Sequence, residues 1–229
     1  MRAAAVILTA FGALLIAARP VPTESELGSR VNKAAAATIP TIGFSKEETG
    51  RLVIAQFAQC TFGRHARSVS EDLSLGFEES QASLGKHVPD ECLNDGSFQA
   101  SSGLYRGYLF GELYRRHEFK GYANWPYAIV PLDLSVAIAA DTPATTKVDR
   151  FMLEVTDCLY KADAESVRTI ILSETASTAQ KKAYAKLIPQ LGPCIPQGNT
   201  LELSRATLES AFGEYLYRSL PPGPAGKSS

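Results

Sequence analysis

Four cysteines are the residues whose type and spacing carry the clearest chemistry: Cys60 and Cys92 stand 32 apart, Cys158 and Cys194 stand 36 apart. No Cys-x-x-Cys pair occurs. An even count of this kind forms disulfides in an oxidising compartment, and a bonded sulfur cannot serve as a nucleophile, which removes a dyad drawn between His87 and Cys92. Glu112 and Glu214 close matched Phe-Gly-Glu triplets at 110–112 and 212–214. Across a pseudo-twofold axis they would form an acid and base pair, the basis of an alternative reading as a hydrolase of cell-envelope polymers. A glutamate beside a glycine on an amphipathic helix more commonly makes a salt bridge or caps a neighbouring helix end.

Between Tyr105 and Tyr127 the chain holds eight aromatic residues, with Arg106, Arg115, Arg116 and Lys120 among them. Rings interleaved with cations suit recognition of a glycan, peptide or protein, and Arg116, Tyr122, Trp125 and Tyr127 are the candidate binding residues. The competing reading is that half of these rings fill an interface. His65, His87 and His117 are scattered surface positions without counterparts elsewhere, so no metal site is expected. Gly226-Lys227-Ser228 resembles the end of a phosphate loop, but Pro221 stands where its first glycine belongs and no helix can follow. The sequence assigns no catalytic residue and no cofactor, which favours a non-enzymatic role.

At 229 residues, 45% hydrophobic and 21% charged, with net charge −1, the chain has the composition of a globular body. No basic stretch offers a surface to nucleic acid or an anionic membrane. Arg2 followed by the apolar run Ala3–Ala17 and the small pair Ala17-Ala18 forms an export signal over 1–18. The run falls short of the about 20 residues that span a bilayer, so no stable membrane insertion is expected after cleavage. Periplasmic or secreted location follows as an expectation.

An internal duplication organises the rest. The runs beginning at Cys60 and Cys158 match at Cys, Ala, Ser and Val without a gap, and each half closes on Phe-Gly-Glu and then Leu-Tyr-Arg, the latter with one inserted residue. Three disulfide pairings exist on paper; if each unit is self-contained, Cys60 pairs with Cys92 and Cys158 with Cys194. The expected organisation is a flexible tether at 19–43, helical repeat 1 at 44–118, an aromatic connector at 119–144 with at most one short helix or strand, helical repeat 2 at 145–219 and a disordered tail at 220–229. Each repeat should hold about four helices. Val53, Ile54, Phe57 and Cys60 recur at helical spacing, as do Phe151, Met152, Val155 and Cys158. A second helix follows each first cysteine, with Asp163 as a cap in the later copy. A third spans Glu78–Val88 in the first half, or Ala179–Leu187 in the second with Ser177 or Thr178 as its cap and Pro189 helping to end the run, and the last starts near Ser101 or Ser204. Gly103, Gly107 and Gly111 weaken the closing helix of the first half, which therefore needs tertiary support. The fold class is thus mostly α, two tandem disulfide-stapled repeats packed as one pseudo-symmetric body.

The closing helices run Leu104-Tyr105-Arg106-Gly107-Tyr108-Leu109-Phe110-Gly111-Glu112-Leu113-Tyr114-Arg115 and Leu208 to Arg218. With the copies aligned, the chain resembles a group of small exported proteins from sphingomonad-type alphaproteobacteria. Their units run Cys, an Ala-rich helix, a second Cys and a closing Leu-(Arg)-Gly-Ala-Leu-x-Glu-x-Leu-Tyr-Arg helix. The resemblance covers roughly residues 50–116 and 148–219 of this chain, and the first copy displaces the glutamate by one position. It implies export and repeat architecture, and carries over no activity, cofactor or catalytic residue. The partner expected from all of this is a protein, peptide or glycan of the cell envelope.

Overall fold

The computed structural model describes residues 30–31, 44–86, 89–92, 98–121, 124–196 and 203–221. The expected leader, the rest of the tether, His87, Tyr122, the turns Asn94-Asp95-Gly96 and Gln197-Gly198-Asn199, and the tail beyond Pro221 lie outside the described residues.

The body is all-helical apart from a two-residue antiparallel pairing of β1 (Arg30–Val31) with β2 (Phe98–Gln99). Helix α1 (Lys46–Leu73) starts at a capping box: Glu48 N–H donates to the Ser45 hydroxyl at 3.2 Å, and Ser45 N–H donates back to the Glu48 carboxylate at 2.9 Å. Two helices were expected over this stretch, and α1 is two helical segments joined across a kink at His65, whose backbone is non-helical (φ −125°, ψ 32°). In the second half the chain does break, into α4 (Ala144–Ala162) and α5 (Ala164–Leu172). There the Asp163 carboxylate accepts the Ser166 N–H at 3.0 Å and caps the new helix. His65 and Asp163 each stand five residues beyond the first cysteine of their half.

Helix α2 (Phe77–Leu84) ends short of Val88 and is followed by a 3-10 turn at Asp90–Cys92. Helix α6 (Thr178–Cys194), capped by Ser177, runs through Pro189 rather than ending there. Pro189 removes the donor for the Ala185 carbonyl, and Ala185 is exposed, so water can replace the lost bond. The disulfides join Cys60 to Cys92 and Cys158 to Cys194, with Cα atoms 5.9 and 5.6 Å apart, each within its own half.

The halves meet where α3 (Ser102–Lys120) crosses α7 (Arg205–Arg218), the largest helix contact in the molecule. Both helices start on a serine cap, Ser101 and Ser204. A Cβ placed on Gly213 would lie 2.6 Å from the Gly107 carbonyl oxygen and 2.7 Å from the Gly111 nitrogen, so the two backbones touch. This contact supplies the tertiary support that a glycine-rich helix requires. One core runs through both halves, with Ile54, Phe62, Leu109 and Phe110 packed among Val167, Ile170 and Phe212, all at most 1% exposed. Residues 125–143 form no helix or strand. Arginines fasten this connector to both helices beneath it: Arg218 donates to the carbonyls of Val130 and Pro131 at 3.2 Å each, and Arg150 donates to those of Asp133 and Leu134.

Candidate functional site

Arg51 sits on the buried face of α1, 1% exposed, and its guanidinium reaches across the halves to Glu209 on α7 and Gln180 on α6. Burial opposes its charge, and the Glu209 carboxylate outweighs burial and keeps it ionised. Tyr108 donates its hydroxyl to Glu209 at 2.5 Å, and the Tyr184 hydroxyl lies 3.1 Å from both Glu209 and the Arg205 carbonyl. Burial, and then the Glu209 charge, push both phenols well above their ordinary value. The node ties α1, α3, α6 and α7 to one another through buried, hydrogen-bonded polar groups.

It also fixes the α5–α6 loop. Gln180 donates its amide N–H to the Ile170 carbonyl at 2.9 Å, and its amide oxygen accepts the Ala176 N–H at 2.8 Å. Ala176 is thereby held at φ 64°, in the left-handed region that a β-carbon disfavours. The residues just before it, Ser173, Glu174 and Thr175, form one wall of a 370 Å³ groove. The opposite wall is α1, presenting Leu52, Ala55 and the exposed amides Gln56 and Gln59; α3 supplies the floor through Glu112 and Arg115. Arg115 is itself anchored, donating Nε–H to the Ile171 carbonyl at 2.6 Å. The groove therefore has rigid walls from both halves and a lining of amides, hydroxyls, two carboxylates and one guanidinium.

Glu112, one of the two carboxylates singled out in the sequence, is held between Arg115 at 3.4 Å and Arg116 at 2.7 Å. Glu214, the other, is held by Arg106 and by Arg218 at 2.8 Å. Glu112 lines the 370 Å³ groove, whereas Glu214 lines two different cavities, of 110 and 320 Å³. Each carboxylate is engaged by two guanidinium groups, and the two line no common cavity, so the structure does not bring them together as a pair.

The carboxyl that does share both of those cavities with Glu214 is Asp149 on α4. Burial, and then the Glu214 charge, push it up to about 7, with Arg106 partly opposing. Sequence reasoning missed this residue. Its signal was available: Asp149 precedes Met152 and Leu153 by three and four positions, which puts an acid on the apolar stripe of α4.

Of the aromatic candidates, the structure brings Arg116, Trp125 and Tyr127 together around one seam and leaves Tyr122 outside the described residues. Trp125 donates its indole N–H to the Tyr217 hydroxyl at 3.3 Å, and its ring stands edge-on to Tyr127 at 5.1 Å and His117 at 5.4 Å. Tyr127 meets Phe62 at 5.7 Å, and the Arg116 guanidinium lies 4.7 Å from the centre of the Phe62 ring. Trp125 and Tyr127 are half-buried against the core, and Tyr105, Tyr108, Phe110 and Tyr114 are within it. His117 is 3% exposed, not a surface residue, and burial lowers its pKa against the pull of Glu118. Phe119 alone of the described rings in this segment is fully presented to solvent, at 80%.

Among the described residues no three His, Cys, Asp or Glu side chains converge on a metal position. The chain has no significant match to any protein-family model, curated protein or solved structure.

Proposed function

We propose that the protein works outside the cytoplasm, in the periplasm or after secretion, as a non-enzymatic binding module that takes a peptide or glycan fragment of the cell envelope in the 370 Å³ groove. The observation that carries this reading is the rigid mounting of the groove's loop wall: the Arg51–Glu209–Gln180 node holds Ala176 in a disfavoured conformation. A wall ordered before the ligand arrives spares the entropy cost of ordering it on binding. Gln56 and Gln59, with Ser173 and Thr175, offer donors and acceptors in the mixture that hydroxyl- and amide-bearing ligands require. The aromatic seam suits recognition less well, because the Trp125 N–H is already donated to Tyr217.

Export is supported by the leader pattern and by all four cysteines being paired, with no free thiol. No helix among the described residues is long and apolar enough to cross a membrane. Tandem repetition is supported by three coincidences: one disulfide per half, a bend or break five residues past each first cysteine, and a serine-capped closing helix in each.

The test is an amide NMR titration with muramidase-released disaccharide-peptides. The expected shifts fall on Gln56, Gln59 and Thr175, and Gln56→Ala with Gln59→Ala weakens binding at least about tenfold, or about 1.4 kcal/mol, at unchanged stability. Shifts confined to Trp125 and Tyr127, or affinity unaltered in the double variant, would sink the assignment.

A further inference from the structure

The 110 Å³ cavity lies between the start of α3, α4 and α7, apart from the groove. Leu104, Met152, Leu153 and Ala211 give it an apolar side, Ser101, Thr207 and Ser210 add hydroxyls, and among the described residues its charged lining groups are Asp149 and Glu214, both acidic. Glu214 is taken by Arg106 and Arg218. Asp149 accepts no hydrogen bond and makes no ion pair among the described residues, and its two oxygens rest 3.4 Å from where a Cβ on Gly103 would stand. Asp149 is half-buried, so its carboxyl gives up part of its water with no hydrogen bond in return, and an occupant that donates to it recovers that loss.

We propose that this cavity binds a small primary alkylammonium ion, its chain against Leu104, Met152, Leu153 and Ala211 and its ammonium on Asp149. Charge complementarity selects this class. An anion would face two carboxyls with no cation lining the cavity, and a purely apolar guest would leave Asp149 without a donor. The volume is several times the roughly 10–15 Å³ that one water requires, which suits a ligand of about five heavy atoms.

The groups facing Asp149 are Glu214 from α7 and Arg106 from α3. On its own helix, Arg150 is turned to Glu154 and to the carbonyls of Asp133 and Leu134, while Arg218 is turned to Glu214. Burial, then Glu214, pushes Asp149 up to about 7, so the recess holds a neutral acid below that pH and a carboxylate above it. An ammonium ion selects the carboxylate, so binding tightens as pH rises through this range.

The experiment titrates n-butylammonium chloride, and n-butanol as its neutral isostere, into the full chain while following the Asp149 carboxyl carbon by NMR. The expected result is an Asp149 midpoint lowered by about one unit or more at saturating n-butylammonium, and a Kd about tenfold smaller at pH 8 than at pH 6. Asp149→Asn, close to isosteric, should weaken binding at least tenfold and erase its pH dependence. An unmoved midpoint, an equal response to n-butanol, or unchanged binding by the variant overturns the proposal. Should the variant fail to fold, the wild-type midpoint and pH series decide it alone.

Discussion

Replacing Gly213 by alanine tests the crossing of α3 and α7 on which both halves depend. The added methyl would stand 2.6 Å from the Gly107 oxygen, 2.7 Å from the Gly111 nitrogen and 2.8 Å from the Gly111 Cα. All three are backbone atoms of a helix, so none can rotate aside. Relief requires moving the helices apart by on the order of 1 Å, which opens gaps along a seam that buries Leu109, Phe110 and Phe212. Helix propensity alone favours the change by about 1 kcal/mol. Overpacking of a rigid contact costs about 1–3 kcal/mol or more, and separation of the seam adds to it, so the net loss should be about 2–4 kcal/mol. Gly63→Ala is the matched control: it lies inside α1, and a methyl there meets nothing within 4 Å. It should leave stability unchanged or raise it by up to about 1 kcal/mol. Both are read as the midpoint of urea unfolding, followed by far-UV circular dichroism with the disulfides intact. Equal midpoints for Gly213→Ala and the parent would refute the backbone contact.

Arg51→Met strands the Glu209 charge in the core and should destabilise by about 3–5 kcal/mol, with much of the loss restored by adding Glu209→Leu; the same denaturation assay measures both. Replacing Cys158 and Cys194 by serine frees a 36-residue separation and should cost about 4 kcal/mol in the chain-entropy account, seen as a lower thermal midpoint. Asp149 holds its proton more tightly folded than unfolded, from an ordinary 3.8 up to about 7. Stability should therefore fall as pH rises from about 4 to about 7 and level off above. Asp149→Asn should flatten that slope and stabilise the chain at pH 8 by on the order of 2 kcal/mol, after allowing for partial access of water, with little effect at pH 4. A slope retained in the variant would place the titration elsewhere.

Much of the architecture was legible because it is local. Ser45, Ser101, Asp163, Ser177 and Ser204 signal helix starts through the hydrogen bonds that their side chains make one turn ahead, and all five act as caps. The cysteine pairing followed from duplication, since each bridge closes within its own half. What was not legible depends on burial and distant neighbours. The Arg51–Glu209 pair spans 158 residues, and neither partner stands out from other charged helical positions in the sequence. The groove is likewise assembled from α1, α3 and the α5–α6 loop, which no spacing pattern joins. Asp149 was the readable exception, an acid on an apolar stripe.

Non-reducing peptide mapping of the protein recovered from native cells, with its amino terminus sequenced, bears most directly on an extracytoplasmic module built from two stapled halves. The expected result is recovery from outside the cytoplasm, a terminus at or near Arg19, and crosslinked peptides joining Cys60 to Cys92 and Cys158 to Cys194. Free thiols in a cytoplasmic chain that retains its leader, or a crosslink running from one half to the other, would contradict it.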